Sequence, residues 1–186
     1  MTRRALFLAL LGLSLVSLVT SSARAGKQAD KTPAYTMRAL YDGAGKRTSL
    51  AEQAPGQLLV VVVMKGTWCP VCVAQLQRLS KLRQQLDARH TRVVALTSEP
   101  PAKIAAAQKR IPFKLLNDPK HLVLQRLGLW RPRWNHAQPS IVVFDRCGKE
   151  RRRVEGRAPG VRVERSLFRV LDELLREKHR CKLLTA

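Results

Sequence analysis

Residues 58–64 read LLVVVVM, seven apolar positions in a row with four valines among them. A run of this length and β-branched content suits a strand buried on both faces of a sheet, because alternate side chains point to opposite faces and neither face meets water. Just beyond it stand Thr67-Trp68-Cys69-Pro70-Val71-Cys72, and then Leu76, Leu79, Leu82 and Leu86 recur at spacings of three and four. That periodicity predicts a helix over 70–89, with Pro70 in the first turn, where a missing N–H leaves nothing unpaired. A buried strand turning directly into a helix brings the residues of the junction to one edge of the sheet. Two cysteines stand at this junction, and 58–64 is expected to be the central strand.

Strand and helix alternate through the rest of the chain, without an internal repeat of 20 to 50 residues. Residues 91–97 (TRVVALT) read as a strand, 101–110 as a helix with Pro101 in its first turn, 113–116 as a short strand, and 119–127 as a helix ended by Gly128. A loop with Trp130, Trp134 and His136 follows. Residues 140–145 (SIVVFD), the turn 146–149 and the Arg-rich 150–157 form an antiparallel hairpin, and 163–178 an amphipathic helix with Val163, Leu167, Val170, Leu171, Leu174 and Leu175 on one side. The expected fold is α/β, a three-layer α/β/α sandwich with a central mixed sheet and a C-terminal β-hairpin plus helix, over residues 35–186. Residues 26–34 read as a flexible lead-in.

Of 186 residues 45% are apolar, and ten Gly and ten Pro are too few for collagen-like, mucin-like or disordered chains. The charge is the outlier: 35 Lys and Arg against 13 Asp and Glu, net +22. Such a field attracts anionic surfaces. Cations concentrate at Arg151, Arg152, Arg153, Arg157, Arg162, Arg165 and Arg169, but from residue 146 onward Phe168 is the only aromatic platform. Nucleic acid is therefore not an expected partner, whereas weak attraction to an anionic membrane surface, or plain solvation, is. Gly45-Lys46 is no phosphate loop, since Leu40 stands for the first Gly and Arg47 for the Ser or Thr.

Residues 1–25 pair basic Arg3 and Arg4 with an apolar stretch over 5–19 and end in Ala23-Arg24-Ala25, the pattern of a cleaved signal peptide. Export to a periplasmic or secreted location is expected, with an uncleaved membrane anchor the competing reading; the apolar stretch is short for a span of roughly 20 residues. No Cys follows Ala25 to carry a lipid. Cleavage removes three arginines and no acid, taking +22 to +19. In an oxidising compartment the four cysteines, Cys69, Cys72, Cys147 and Cys181, are consistent with two pairs.

Disulfide exchange requires a thiolate, which a helix N-terminus favours through its unpaired N–H groups and dipole. Cys69 falls at that N-cap, and Cys72, one turn on, can reach it and release a mixed disulfide. The alternatives at this level are half of a zinc site, for which no second C-x-x-C or C-x-x-H follows, and an inert bridge. Exchange chemistry needs no cofactor. Its partners are protein thiols or disulfides and an unidentified redox partner.

The chain resembles the thioredoxin-like superfamily, in its redoxin or AhpC/TSA-type branch, which includes exported thiol–disulfide oxidoreductases of the TlpA/ResA kind. The resemblance is carried by 35–50 (YTMRALYDGAGKRTSL), by Thr67 to Cys72, by Leu115-Leu116-Asn117-Asp118-Pro119, and by Gln138-Pro139 leading 140–145 with Gly148. It implies that Cys69 attacks, Cys72 resolves, Thr67, Pro70 and Gln138 support the site, and Trp68 shields the pair. It also implies a cis Gln138–Pro139 bond facing the cysteines, against the alternative of an ordinary trans Pro at the start of a strand.

Two departures qualify the resemblance. Thioredoxins proper carry a buried Asp six residues before the first Cys, where this chain has Val63; Glu99 is the candidate replacement, a solvated Glu before Pro100-Pro101 the competing reading. Peroxiredoxins carry P-x-x-x-T-x-x-C, but Gly66 and Cys69 occupy the Thr offset here, so thiol peroxidase activity is the second expectation. A third is copper delivery through Cys69, Cys72 and His136, although the copper-delivering relatives use C-x-x-x-C. His90, His121 and His179 are expected in solvent, while Arg131 and Arg133 are weak candidates to stabilise a thiolate. In such a fold Cys147, in the hairpin turn, and Cys181, just past the last helix, approach the same pole; a structural disulfide and two free thiols both remain open.

Overall fold

The structure is a computed structural model that describes residues 32–156 and 161–177. Its strands are β1 (Leu40–Asp42), β2 (Arg47–Thr48), β3 (Leu58–Val63), β4 (Thr91–Thr97), β5 (Lys114–Asn117), β6 (Trp130–Arg131), β7 (His136–Ala137), β8 (Ser140–Phe144) and β9 (Glu150–Glu155). Its helices are α1 (Pro70–Lys81), α2 (Arg83–Asp87), α3 (Pro101–Gln108), α4 (Leu122–Arg126) and α5 (Val161–Arg176). Seven strands form one mixed sheet in the order β2-β1-β5-β4-β3-β8-β9, and β6 and β7 form a separate ribbon.

The apolar run behaves as its composition demands. Every residue of β3 is buried. Leu58, Val60 and Val62 pack with Leu76 and Leu79 of α1, Ile104 of α3 and Leu167, Leu171 and Leu174 of α5. Leu59, Val61 and Val63 face the other way, onto Val123 and Leu124 of α4 and onto Leu50, Ala54 and Tyr35. This alternation defines the three layers, and the β8–β9 hairpin followed by α5 closes the domain as expected.

Several boundaries differ from the sequence reading. β4, rather than β3, holds the middle of the sheet, because the β1–β2 hairpin extends the β5 side, and that pairing is non-local. The helix expected over 70–89 breaks at Leu82 (φ −101°, ψ 14°), and α2 re-aims the chain so that Leu86 is 1% exposed. The leucine spacing carries no sign of that break, since Leu86 reaches the core either way. Residues 1–31, Arg157, His179 and Cys181 lie outside the described residues, while the end of the expected lead-in is ordered: Pro33 O accepts the Thr36 and Met37 N–H groups and Ala34 is buried in the core. No helix among the described residues is long and apolar enough to cross a membrane.

Candidate active site

Strand direction assembles the site. β3 and β4 run parallel, so both C-terminal ends reach the same edge, delivering residues 64–69 and 98–100 there. β5 runs parallel to β4 and brings Asn117 and Asp118 to that edge. β8 runs antiparallel to β3, with Ser140 opposite Val63, so its entrance, Gln138-Pro139, arrives there too. Ligand and reaction sites in open α/β sheets gather at such carboxyl ends.

Cys69 is the N-cap of α1, with an extended backbone (φ −77°, ψ 104°), and its sulfur accepts the Cys72 N–H at 3.4 Å; Pro70 follows in the first turn. Both cysteines are free thiols, Cys69 partly exposed and Cys72 4% exposed. Burial, and then the hydrogen bond to the Cys69 sulfur, push the Cys72 thiol up to about 12, against a hydrogen bond from the Lys65 backbone. The pair is thus asymmetric: Cys69 is partly exposed and accepts one helix N–H, and its neighbour is held as a thiol.

Glu99 is buried, not solvated. It accepts the Thr67 backbone N–H through Oε2, and Thr97 Oγ1 lies 3.5 Å from the same oxygen, while Oε1 is enclosed without a partner. The sheet decides between the two readings: parallel β3 and β4 bring the loop at Thr67 over Glu99, a contact 32 residues apart in the chain. Asn117 Nδ2 donates to the Glu99 carbonyl at 3.3 Å. Asp118 caps α4 by accepting the Leu122 and Leu124 N–H groups at 3.0 and 2.8 Å, and its burial raises its carboxyl above the ordinary value against those bonds.

The Gln138–Pro139 bond is trans; no cis peptide occurs among the described residues. Trans is the lower-energy form by about 0.5–1 kcal/mol unless packing opposes it, and here the segment is tied on both sides: Gln138 N–H donates to Leu129 O at 2.7 Å and Gly156 N–H to Pro139 O at 3.0 Å. Trp68 is 59% exposed, so it forms an open wall rather than a closed cover. Its indole lies against Gly66, where any Cβ would sit 2.3 Å from the ring nitrogen, and Lys65 Nζ stands 5.4 Å from the ring centroid. A close approach of this kind requires glycine.

Beside these residues opens a cleft of about 610 Å³, walled by Trp68, Glu99, Lys103, His121 and Trp134 among others. Sequence reasoning missed most of it. His121, expected in solvent, is half-buried with a left-handed backbone (φ 58°) and stacks on Trp130 at 3.6 Å between centroids. The β6–β7 ribbon that carries Trp134 and His136 is too short for a periodic signal. Arg131 is engaged by Gly128 O at 2.7 Å and by Glu155, away from a thiolate role. Among the described residues no three His, Cys, Asp or Glu side chains are disposed to hold a metal ion, so Cys69, Cys72 and His136 do not form a metal site; His136 Nδ1 contacts Ala137 O at 2.9 Å instead. Cys147 is disulfide-bonded, while Cys181 lies outside the described residues.

The AhpC/TSA family profile matches residues 29–152, two-thirds of the chain. The chain belongs to the AhpC/TSA family. It is a thioredoxin-like redoxin, and members of this family are thiol-based oxidoreductases. The fold of this AhpC/TSA protein is similar to that of the peroxidoxin BcpB of Mycobacterium tuberculosis, at 16% identity and TM-score 0.64 over 72% of this chain and 90% of that one. The bacterioferritin comigratory protein of Xanthomonas campestris is 13% identical, TM-score 0.62, over 73% and 90%. The 2-Cys peroxiredoxin of Plasmodium vivax is 14% identical, TM-score 0.61, over 73% and 88%. Comparison with curated proteins finds no match.

Proposed function

We propose that this redoxin is an exported thiol–disulfide oxidoreductase of the TlpA/ResA kind. The observation that carries the reading is the helix-capping Cys69, partly exposed, with buried Cys72 bonded to it. The Cys69 thiolate attacks a substrate disulfide, forming a mixed disulfide and expelling one substrate sulfur as thiolate. That thiolate, directly or through water, takes the proton of Cys72, whose sulfur then attacks Cys69. The Cys69–Cys72 bond forms, the mixed bond breaks, and two electrons have passed from the dithiol to the substrate. The reverse sequence oxidises a substrate dithiol. Export is supported by Arg3, Arg4, the apolar stretch and Ala23-x-Ala25, and N-terminal sequencing of the mature protein tests it.

Thiol peroxidase activity is the second reading, favoured by the likeness to peroxiredoxin folds. Against it stands Gly66 three residues before Cys69, where peroxiredoxins carry Thr, and the commitment of the Thr67 N–H to Glu99. Insulin reduction beside peroxide consumption separates the two. Exchange that needs both cysteines supports the first reading; peroxide turnover that survives Cys72→Ser but not Cys69→Ser replaces it with the second.

A further inference from the structure

Three features of the cleft exceed what a dithiol needs in order to react. Two indoles stand open on its walls, Trp68 at 59% and Trp134 at 60% exposure, and exposed large aromatics of this kind mark interaction surfaces. Its rim is cationic: Lys65 and Lys103 line it, neither is ion-paired among the described residues, and its one acidic residue, Glu99, is buried and turned to Thr67. Two residues of its walls, Glu99 and His121, each keep one polar atom enclosed without a hydrogen-bond partner among the described residues.

We propose that this cleft docks an extended acidic peptide segment, the stretch of a protein substrate that flanks the cysteine reacting with Cys69; the inference rests on the exchange reading above and names its substrate class. Glu99 Oε1 and His121 Nδ1 are enclosed behind the cleft wall, so the segment is held by the rim and the indoles rather than by them. A carboxylate side chain answers Lys65 and Lys103, and the indoles cover the apolar faces of the bound segment. A peroxide or other few-atom substrate would leave both lysines and most of the 610 Å³ unused.

The test measures docking apart from chemistry. Unreactive peptides with Ser in place of Cys, flanked by two Glu or by two Gln, are titrated into the reduced full chain, with tryptophan fluorescence as the readout. The Glu peptide is expected to bind roughly five-fold tighter at low ionic strength, as two partly exposed charge pairs would give. That preference shrinks in high salt and falls to near unity in the Lys65→Gln/Lys103→Gln double variant. Equal affinity for the two peptides, no quenching by either up to millimolar concentration, or a preference that survives the double substitution overturns the proposal. The Cys-containing disulfides of the same peptides are then assayed for exchange. Exchange without a preference sinks the docking inference and leaves the oxidoreductase reading standing; a preference without exchange does the reverse.

Discussion

Two buried carboxylates at opposite ends of the sheet, Glu99 and Asp145, are held in opposite ways. At the end where β3 and β4 finish, Glu99 has one oxygen occupied and one idle, Asn117 Oδ1 and His121 Nδ1 also lack partners, and both nearby thiols are free. At the other end, in the β8–β9 turn, Asp145 is 2% exposed and saturated: Oδ1 accepts the Cys147 and Lys149 N–H groups at 2.9 and 3.0 Å, and Oδ2 accepts Arg151 Nη1 at 3.1 Å. Arg151 continues to Glu177, Cys147 is oxidised, and Gly148 (φ +75°) lies so close to Tyr35 that a Cβ would sit 2.2 Å from its ring. Asp145 has both oxygens bonded, whereas the reactive pole sets Glu99, with one oxygen unused, beside a saturated Asp118. Unsatisfied polar groups cost stability wherever they stand, so their concentration beside the thiols indicates where the fold trades stability for reactivity.

If the contrast holds, substitutions at the reactive pole change chemistry and those at the saturated pole change stability. The largest effect belongs to Cys69→Ser, expected to lower disulfide exchange by ~10³-fold or more with the unfolding midpoint little moved, as for loss of a covalent nucleophile; Cys72→Ser instead accumulates a mixed disulfide visible by mass spectrometry. Next is pH. The folded Cys72 thiol titrates near 12 against an ordinary 9.0, so the folded state holds a proton that the unfolded chain gives up. The associated stability is intact below pH 9 and lost as pH climbs toward 12 in the reduced protein. Urea titrations at several alkaline pH values read that slope, and Cys72→Ala should flatten it.

Asp145→Ala is expected to cost about 3 kcal/mol in urea unfolding, since two backbone N–H groups and Arg151 lose a buried acceptor, with exchange rates within two-fold of wild type. Glu99→Ala should do the converse, destabilising by only about 1 kcal/mol because one oxygen was idle, while slowing exchange roughly ten-fold as the Thr67 loop loses its tether. Equal stability losses at Asp145 and Glu99 would break the comparison; an exchange defect confined to Glu99→Ala would sharpen it.

Much of the frame was legible locally. The valine run, the leucine spacing and the turn before Glu150 follow from side-chain periodicity over a few residues, and the Cys69-Pro70-Val71-Cys72 junction follows from where strand meets helix. What escaped depends on neighbours far along the chain. Glu99 reads either as a site residue or as a solvated one between a serine and two prolines until the Thr67 loop closes over it, and His121 reads as solvated until Trp130 stacks on it. The trans bond at Pro139 follows the ordinary preference of the dipeptide, and Leu129 and Gly156 tie the segment that holds it.

The amino-acid sequence alone dictated a buried strand running into a cysteine-capped helix, because period-two and near-period-four burial and N-cap chemistry act within a dozen residues. Which polar groups were enclosed, which were left without partners, and which strand took the middle of the sheet were settled only when parallel pairing set distant loops side by side, since a carboxylate's burial is a property of what comes to cover it.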